Sequence, residues 1–196
     1  LIARSICLGE EIHSYVVLSL AYKEKGLLLK EQNLLNEAIE ALLKSIECFE
    51  NISERRRETY AAAYAEAHST LGRIYALRHD LQLGRQYIEQ AIDIQKRIND
   101  QPGIARSYQS IGNMCQHAGL YEEARVNLEY ALNIFQQLGY RLDYANSLND
   151  IGEIFRLGYN QYDAAENYYR RAIEIYRELN LSDSCTTIIN LVLLLL

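Results

Sequence analysis

The residues that could carry catalysis or hold a metal ion are scattered along this sequence of 196 residues. Paired acids such as Glu122-Glu123 are adjacent on a predicted helix and point apart, whereas a general acid and base must converge on one substrate. The sequence has no phosphate-binding glycine loop, no nucleophile elbow and no HExxH zinc motif. The four histidines are too dispersed to form a metal site: His13, His68, His79 and His117. We therefore expect no enzymatic activity, no metal and no cofactor.

The cysteines also give no sign of chemistry. Cys7, Cys48, Cys115 and Cys185 lie far apart, without a CxxC pair and without a histidine at ligand spacing. This pattern favours free core thiols in a reducing compartment, and it predicts a cytoplasmic protein.

The charge of the chain disfavours nucleic acid as a partner. Its formal net charge is −6, whereas affinity for nucleic acid depends mainly on Lys and Arg that neutralise phosphates. The triplet Arg55-Arg56-Arg57 is flanked by Glu54 and Glu58, which indicates a solvated, charged helix. The apolar tail 191–196 is far too short to cross a bilayer, so we expect no membrane partner.

A repeat of forty residues dominates the sequence. Small residues open three units at Ala65, Ala105 and Ala145, and a fourth unit begins at Cys185. Each unit then carries a helix-period pattern, a break, and a second helix-period pattern. A glycine inside a helix costs about 1 kcal/mol relative to alanine, so glycines in register imply close packing. The registered pairs are Leu71-Gly72, Ile111-Gly112 and Ile151-Gly152, and the later small residues are Gly84, Ala124, Ala165, Ala91, Ala131 and Ala172.

This pattern resembles the tetratricopeptide repeat. In the third unit the motif residues are Leu148, Ile151-Gly152 and Phe155 in the first helix, then Ala165, Tyr169 and Ala172 in the second. The resemblance implies an all-α fold, a right-handed α-solenoid of antiparallel helix pairs. The units are longer than the common 34 residues, as in kinesin light chains, spindle-orientation scaffolds and bacterial peptide-sensing regulators.

The predicted organisation has five parts. Residues 1–64 form irregular N-terminal helices with one degenerate unit, in which the turn from Gly26 to Leu35 is long and the next helix begins near Ser53. Complete repeats follow at 65–104, 105–144 and 145–184, and residues 185–196 form the first helix of a further repeat or a cap. Both ends look like cuts through a longer array, so we expect a fragment of a larger protein.

The resemblance also indicates where a partner would bind. In tetratricopeptide proteins the first helix of each unit lines a concave groove, mainly through its second, fifth, sixth, ninth and twelfth residues. Amides are prominent there, and each carries a donor and an acceptor that can pair with both sides of a peptide bond. Arginines there can take carboxylates in a forked geometry. The predicted binding residues are Ser69, Arg73, Arg106, Gln109, Asn113, Gln116, Asn146, Asn149, Glu153 and Arg156; Glu66, Thr70, Ala76, Ser110 and Asp150 occupy the remaining lining positions.

The sequence therefore predicts a non-catalytic module that binds an extended peptide or a partner helix. The positions of the chaperone-tail clamp do not match, and Asp150 would repel such a carboxylate. Two alternatives stay open: a ligand-sensing part of a larger signalling protein, such as an ATPase, protease or transcription regulator, and self-association through the terminal helices. Apolar 188–196 motivates the second alternative.

Overall fold

The computed structural model describes residues 1–180 and 184–195, which form ten α-helices and no strand. This confirms the predicted all-α repeat fold. The chain divides into two compact units, Leu1–Gly103 and Ile104–Leu196. The helices are α1 (Ile2–Glu11), α2 (Tyr15–Glu31), α3 (Leu35–Glu50), α4 (Glu54–Leu77), α5 (Leu81–Arg97), α6 (Gln101–His117), α7 (Tyr121–Leu138), α8 (Arg141–Leu157), α9 (Tyr162–Glu178) and α10 (Ser184–Leu195).

In the first unit, α2 pairs with α3 and α4 pairs with α5. Short turns join the partners, and each turn contains one residue in the left-handed conformation, Asn33 at φ 60° and His79 at φ 64°. The Asp80 carboxylate caps α5 by accepting a hydrogen bond from the Leu83 N–H at 3.1 Å. The buried core between these pairs includes Leu42, Leu71 and Ile74.

In the second unit, α6 packs on α7, α8 packs on α9, and α10 lies against α9. Gly119 lies at φ 75° between α6 and α7, and Gly139 at φ 72° ends α7, so both turns require a left-handed residue. Phe135 is completely buried with the opening alanine of the α6 repeat, Ala105. Apolar spacing in the sequence therefore translates into buried faces between paired helices.

The glycines in register mark close contacts between the two helices of each pair. A Cβ on Gly72 would lie 2.6 Å from the Gly84 carbonyl oxygen and 2.6 Å from Ile88 Cγ1. A Cβ on Gly112 would lie 2.6 Å from Leu128 Cγ. These separations are too short for any side chain, which explains why the repeat accepts the helix penalty of glycine.

The predicted long turn from Gly26 to Leu35 is wrong. Helix α2 continues to Glu31, so Gly26 lies inside it, and a Cβ there would lie 2.5 Å from Leu42 Cγ. Gly26 therefore makes with α3 the close contact that Gly112 makes with α7. Ser19 then stands at the position of the opening alanine, forty-six residues before Ala65.

Two further details distinguish the first unit. Helix α4 begins at Glu54, as the sequence predicts, and it is 24 residues long. Cys7 was expected in the core, but it is exposed because α1 leaves that face uncovered. No helix in the described part of the chain is long and apolar enough to cross a membrane.

Replacing Gly72 by alanine should destabilise the fold by about 1–2 kcal/mol. The new Cβ meets a backbone oxygen, so overpacking should cost about 2–3 kcal/mol, the upper part of its usual range, and helix propensity returns about 1 kcal/mol. Gly112→Ala is the matched comparison. Its nearest obstruction is the Leu128 side chain rather than a carbonyl, so its loss should be smaller. Urea unfolding measures both, and a Gly72→Ala protein as stable as the wild type would contradict the close-contact explanation.

Candidate functional site

Eight of the ten predicted binding residues lie on α6 and α8 of the second unit, on the side opposite the core. The core side of α8 carries the fully buried Leu148, Ile151 and Ile154. The outward side carries polar residues that are exposed or half-buried. We call this set the polar face, and it consists of Arg106, Gln109, Asn113, Gln116, Asn146, Asn149, Asp150, Glu153 and Arg156.

Asp150 lies at the centre of the polar face. The Gln109 amide donates a hydrogen bond to Asp150 Oδ2 at 3.2 Å, and the side chains of Asn113 and Asn149 also bond to the carboxylate. Burial raises the pKa of Asp150 to about 6 despite these three donors, and the nearby Glu153 charge adds to the rise. Asp150 therefore retains an unfavourable negative charge at neutral pH.

Amides also connect neighbouring first helices. The Asn190 amide on α10 donates to Asn149 Oδ1 at 3.4 Å, and Gln109 reaches Asp150 from α6 in the same way. In both pairs, the fifth residue of one repeat meets the sixth residue of the next. Part of the predicted amide capacity is therefore used within the protein. Asn113 also bonds to Asp150 through its side chain, but its Oδ1 is buried and has no hydrogen-bond partner in the described part of the chain.

The arginines of the polar face are already paired. Arg156 donates through Nε and Nη2 to the two Glu153 oxygens, at 3.2 and 2.7 Å. The Tyr169 hydroxyl donates to the same Glu153 carboxylate. On α6, Arg106 Nε lies 3.5 Å from Asp143 Oδ1, and the Arg106 guanidinium lies 5.6 Å from the centre of the Tyr140 ring. The Glu153 carboxylate therefore occupies the Arg156 fork, whereas Arg106 makes one long ion pair and its side chain is 53% exposed.

Two more residues at the edges of the face complete the set on α6 and α8. Asn146 Oδ1 accepts a hydrogen bond from the Tyr176 hydroxyl at 2.6 Å, which ties α8 to α9. Gln116 is half-buried near the end of α6. The sequence does not identify Tyr169 or Tyr176 as a site residue, because both fit the pattern of core residues in the second helix of a repeat.

The remaining predicted residues, Ser69 and Arg73, lie on α4 of the first unit. Ser69 is half-buried, and the Arg73 guanidinium donates to Thr70 Oγ1 at 3.2 Å. Thr70 itself is only 1% exposed, so its predicted lining position is wrong. Its small side chain fits between packed helices, whereas the matching Asp150 of α8 reaches the polar face.

The pKa of Asp150 predicts a specific pH dependence of stability. Because the folded-state pKa, about 6, exceeds the ordinary value of 3.8, the folded protein holds this proton more tightly than the unfolded chain. The stabilisation of the folded state by this proton is complete below pH 3.8 and is lost as the pH rises through about 6. The total loss of stability is up to about 3 kcal/mol.

Asp150→Asn should therefore be more stable than the wild type at pH 7.5, and its advantage should shrink as the pH falls below about 6. Chemical unfolding at several pH values measures the difference, in which the other titrating groups cancel. Asp163→Asn, at an exposed position on α9, is the control for the removal of a carboxylate that is not buried. A pH-independent difference for Asp150→Asn would contradict the burial of this charge.

Comparison with known proteins identifies the fold. A family model described as Tetratricopeptide repeat matches residues 63–137 and 104–178, which together exceed half of the chain. A search of curated proteins found no matching sequence.

Solved structures show the same architecture at low sequence identity. BtubC (BKLC) from P. vanneervenii has a TM-score of 0.79 and 16% identity over 98% of this chain and 78% of that one. A Rap protein complexed with Competence and Sporulation Factor has a TM-score of 0.76 and 18% identity, over 91% of this chain and 48% of that one. Aspartyl phosphate phosphatase F from Bacillus subtilis has a TM-score of 0.70 and 18% identity, over 88% and 45%. This chain spans about half the length of the last two proteins. By its sequence motifs and the family match, it belongs to the tetratricopeptide repeat family and is a protein–protein interaction module of that family.

Proposed function

We propose that the polar face of α6 and α8 binds an extended peptide or a partner helix, without catalysis. The observation that carries the proposal is the buried Asn113 Oδ1, which has no partner in the described part of the chain. A buried acceptor without a partner costs about 1–3 kcal/mol. A ligand N–H that reached Asn113 would remove this cost on binding.

The bonds that the other side chains of the polar face already make determine which ligand groups this face can bind. Arg156 is held by Glu153, and Arg106 lies against Asp143, so capture of a ligand carboxylate is disfavoured. Asn149 and Gln109 already bond to neighbouring helices, but each amide has further donor and acceptor capacity. The face therefore suits backbone-type hydrogen bonds to an extended chain, each worth about 0.5–1.5 kcal/mol.

A random peptide library displayed on phage would test the proposal. Peptides selected by the wild-type chain should bind Asn113→Ala/Asn149→Ala about tenfold more weakly, which corresponds to the loss of two hydrogen bonds. Isothermal titration calorimetry measures the affinity of the selected peptides, and circular dichroism confirms that each variant remains helical.

The matched control replaces two exposed amides on the second helices of the same units, Asn133→Ala/Asn167→Ala on α7 and α9. Selected peptides should bind this variant like the wild type. Equal binding to all three proteins would move the site away from the polar face and contradict the proposal.

A regulatory role is the second candidate. One structural neighbour is a Rap protein complexed with Competence and Sporulation Factor, and another is an aspartyl phosphate phosphatase. Under this hypothesis the polar face binds a ligand that regulates a larger signalling protein, such as an ATPase, protease or transcription regulator. The ligand would then change the radius of gyration measured by X-ray scattering, whereas a passive scaffold would keep its shape.

Self-association is the third candidate, and helix α10 motivates it. Ile189 and Leu193 are 56% and 59% exposed, one turn apart on this apolar helix. If copies pair through this surface, Ile189→Glu/Leu193→Glu should abolish a concentration-dependent increase in mass, because buried charges oppose association. Sedimentation velocity over a range of concentrations measures this, and a constant monomer mass for the wild type would exclude pairing.

A further inference from the structure

A cavity of about 510 Å³ opens in the first unit. It lies where the end of α3, the first half of α4 and the end of α5 meet. This volume is within the range of pockets that bind small molecules, about 300–1,000 Å³. No predicted binding residue lines it.

The early start of α4 creates the cavity. Helix α4 begins eleven residues before Ala65, whereas α6 and α8 begin four residues before Ala105 and Ala145. The additional turns bring Arg57 to the end of α3, where its Nε donates to the Ile52 carbonyl at 2.8 Å and its Nη2 donates to the Glu50 carbonyl. These bonds fix the guanidinium at the cavity wall, since carbonyls at a helix end attract a cation.

One wall of the cavity is apolar. The Phe49 and Tyr64 rings stack with their centroids 4.0 Å apart and their planes at 10°. Ala61 and Ile94 are buried beneath the cavity, and Ile98 is half-buried beside them. Two stacked rings and a branched aliphatic surface form a wall that fits the side chain of an aromatic or large aliphatic ligand.

The polar groups around this wall are balanced in charge. Arg57 and Arg97 supply two positive charges, and Glu50 and Glu58 supply two negative ones. The Tyr64 hydroxyl donates to Glu50 Oε1 at 3.1 Å. Burial and the Glu50 charge raise the pKa of Tyr64 to about 12, so its hydroxyl stays protonated at neutral pH.

We propose that this cavity binds a zwitterion with a large apolar side group, namely an apolar α-amino acid or a short apolar peptide. The apolar wall takes the side group, Arg97 takes the carboxylate, and Glu58 takes the ammonium. A zwitterion can contact both Arg97 and Glu58, whereas a ligand with only one charge can contact only one of these two groups. The balanced set of charged groups therefore selects a molecule that carries both signs.

Matched ligands test this selection on the intact chain. L-Phenylalanine carries both charges, 3-phenylpropionate only the negative charge, 2-phenylethylamine only the positive charge, and N-acetyl-phenylalaninamide neither. Binding is followed by NMR of isoleucine methyl groups, because Ile94 and Ile98 report on the cavity and Ile189 reports on non-specific contact with α10. We expect phenylalanine to shift Ile94 and Ile98, and to bind more tightly than each of the three analogues.

The dipeptide Leu-Phe distinguishes a site for a free amino acid from a site for a short peptide. Tighter binding of Leu-Phe than of phenylalanine indicates a peptide site, and the reverse order indicates an amino-acid site. Either order supports the proposal, provided that the N-acetylated amide form of the dipeptide binds more weakly.

Variants at the rim of the cavity test which residues bind the carboxylate and the ammonium group of phenylalanine. Arg97→Gln and Glu58→Gln should each weaken phenylalanine binding about threefold, as expected for exposed charge contacts. Arg55→Gln and Glu54→Gln are the controls. They remove one positive and one negative charge at exposed positions of α4 that do not line the cavity, so they should not change the affinity for phenylalanine. Equal binding of the four phenyl ligands, unchanged affinity in both rim variants, or no shift of Ile94 and Ile98 would each overturn the proposal.

Discussion

The close approach of two paired helices at one glycine is the constraint on which the other features of each repeat depend. Gly72 meets the backbone of Gly84, and Gly112 meets Leu128, at separations that exclude even a methyl group. This contact fixes which side of the first helix faces its partner. The opposite side of α6 and α8 must then face outward, and polar residues at constant repeat positions fall on one surface.

The repeat spacing made most of this fold predictable, because a period of forty residues places equivalent helices without knowledge of any contact. The sequence misplaces the turn between α2 and α3 for a related reason. The distance from Ser19 to Ala65 exceeds the forty-residue period by six residues, so Gly26 is out of register with the later glycines and the pattern favours a turn there. Its partner Leu42 shows the correct register, but only the three-dimensional contact reveals it.

The sequence indicated which helices carry the polar face, but it could not show how the side chains pair. The bond from Gln109 to Asp150 joins residues of successive repeats, and its formation depends on rotamers and on burial. The same repeat position holds Thr70 in the core of α4 and Asp150 on the face of α8. Position within the repeat therefore determines the helix face only approximately, and side-chain length decides the rest.

The polar face also differs energetically from other polar surfaces of the second unit. Exposed amides such as Asn133 and Asn167 are solvated, so a ligand that bonded to them would only replace water and gain little. Asn113 Oδ1 and the Asp150 carboxylate are held away from water, and the folded protein does not recover their full hydrogen-bonding energy. Local violations of good packing rules persist mainly where function requires them. A ligand that donates hydrogen bonds would gain most at these two groups, and this difference supports the proposal that a peptide binds α6 and α8 rather than α7 and α9.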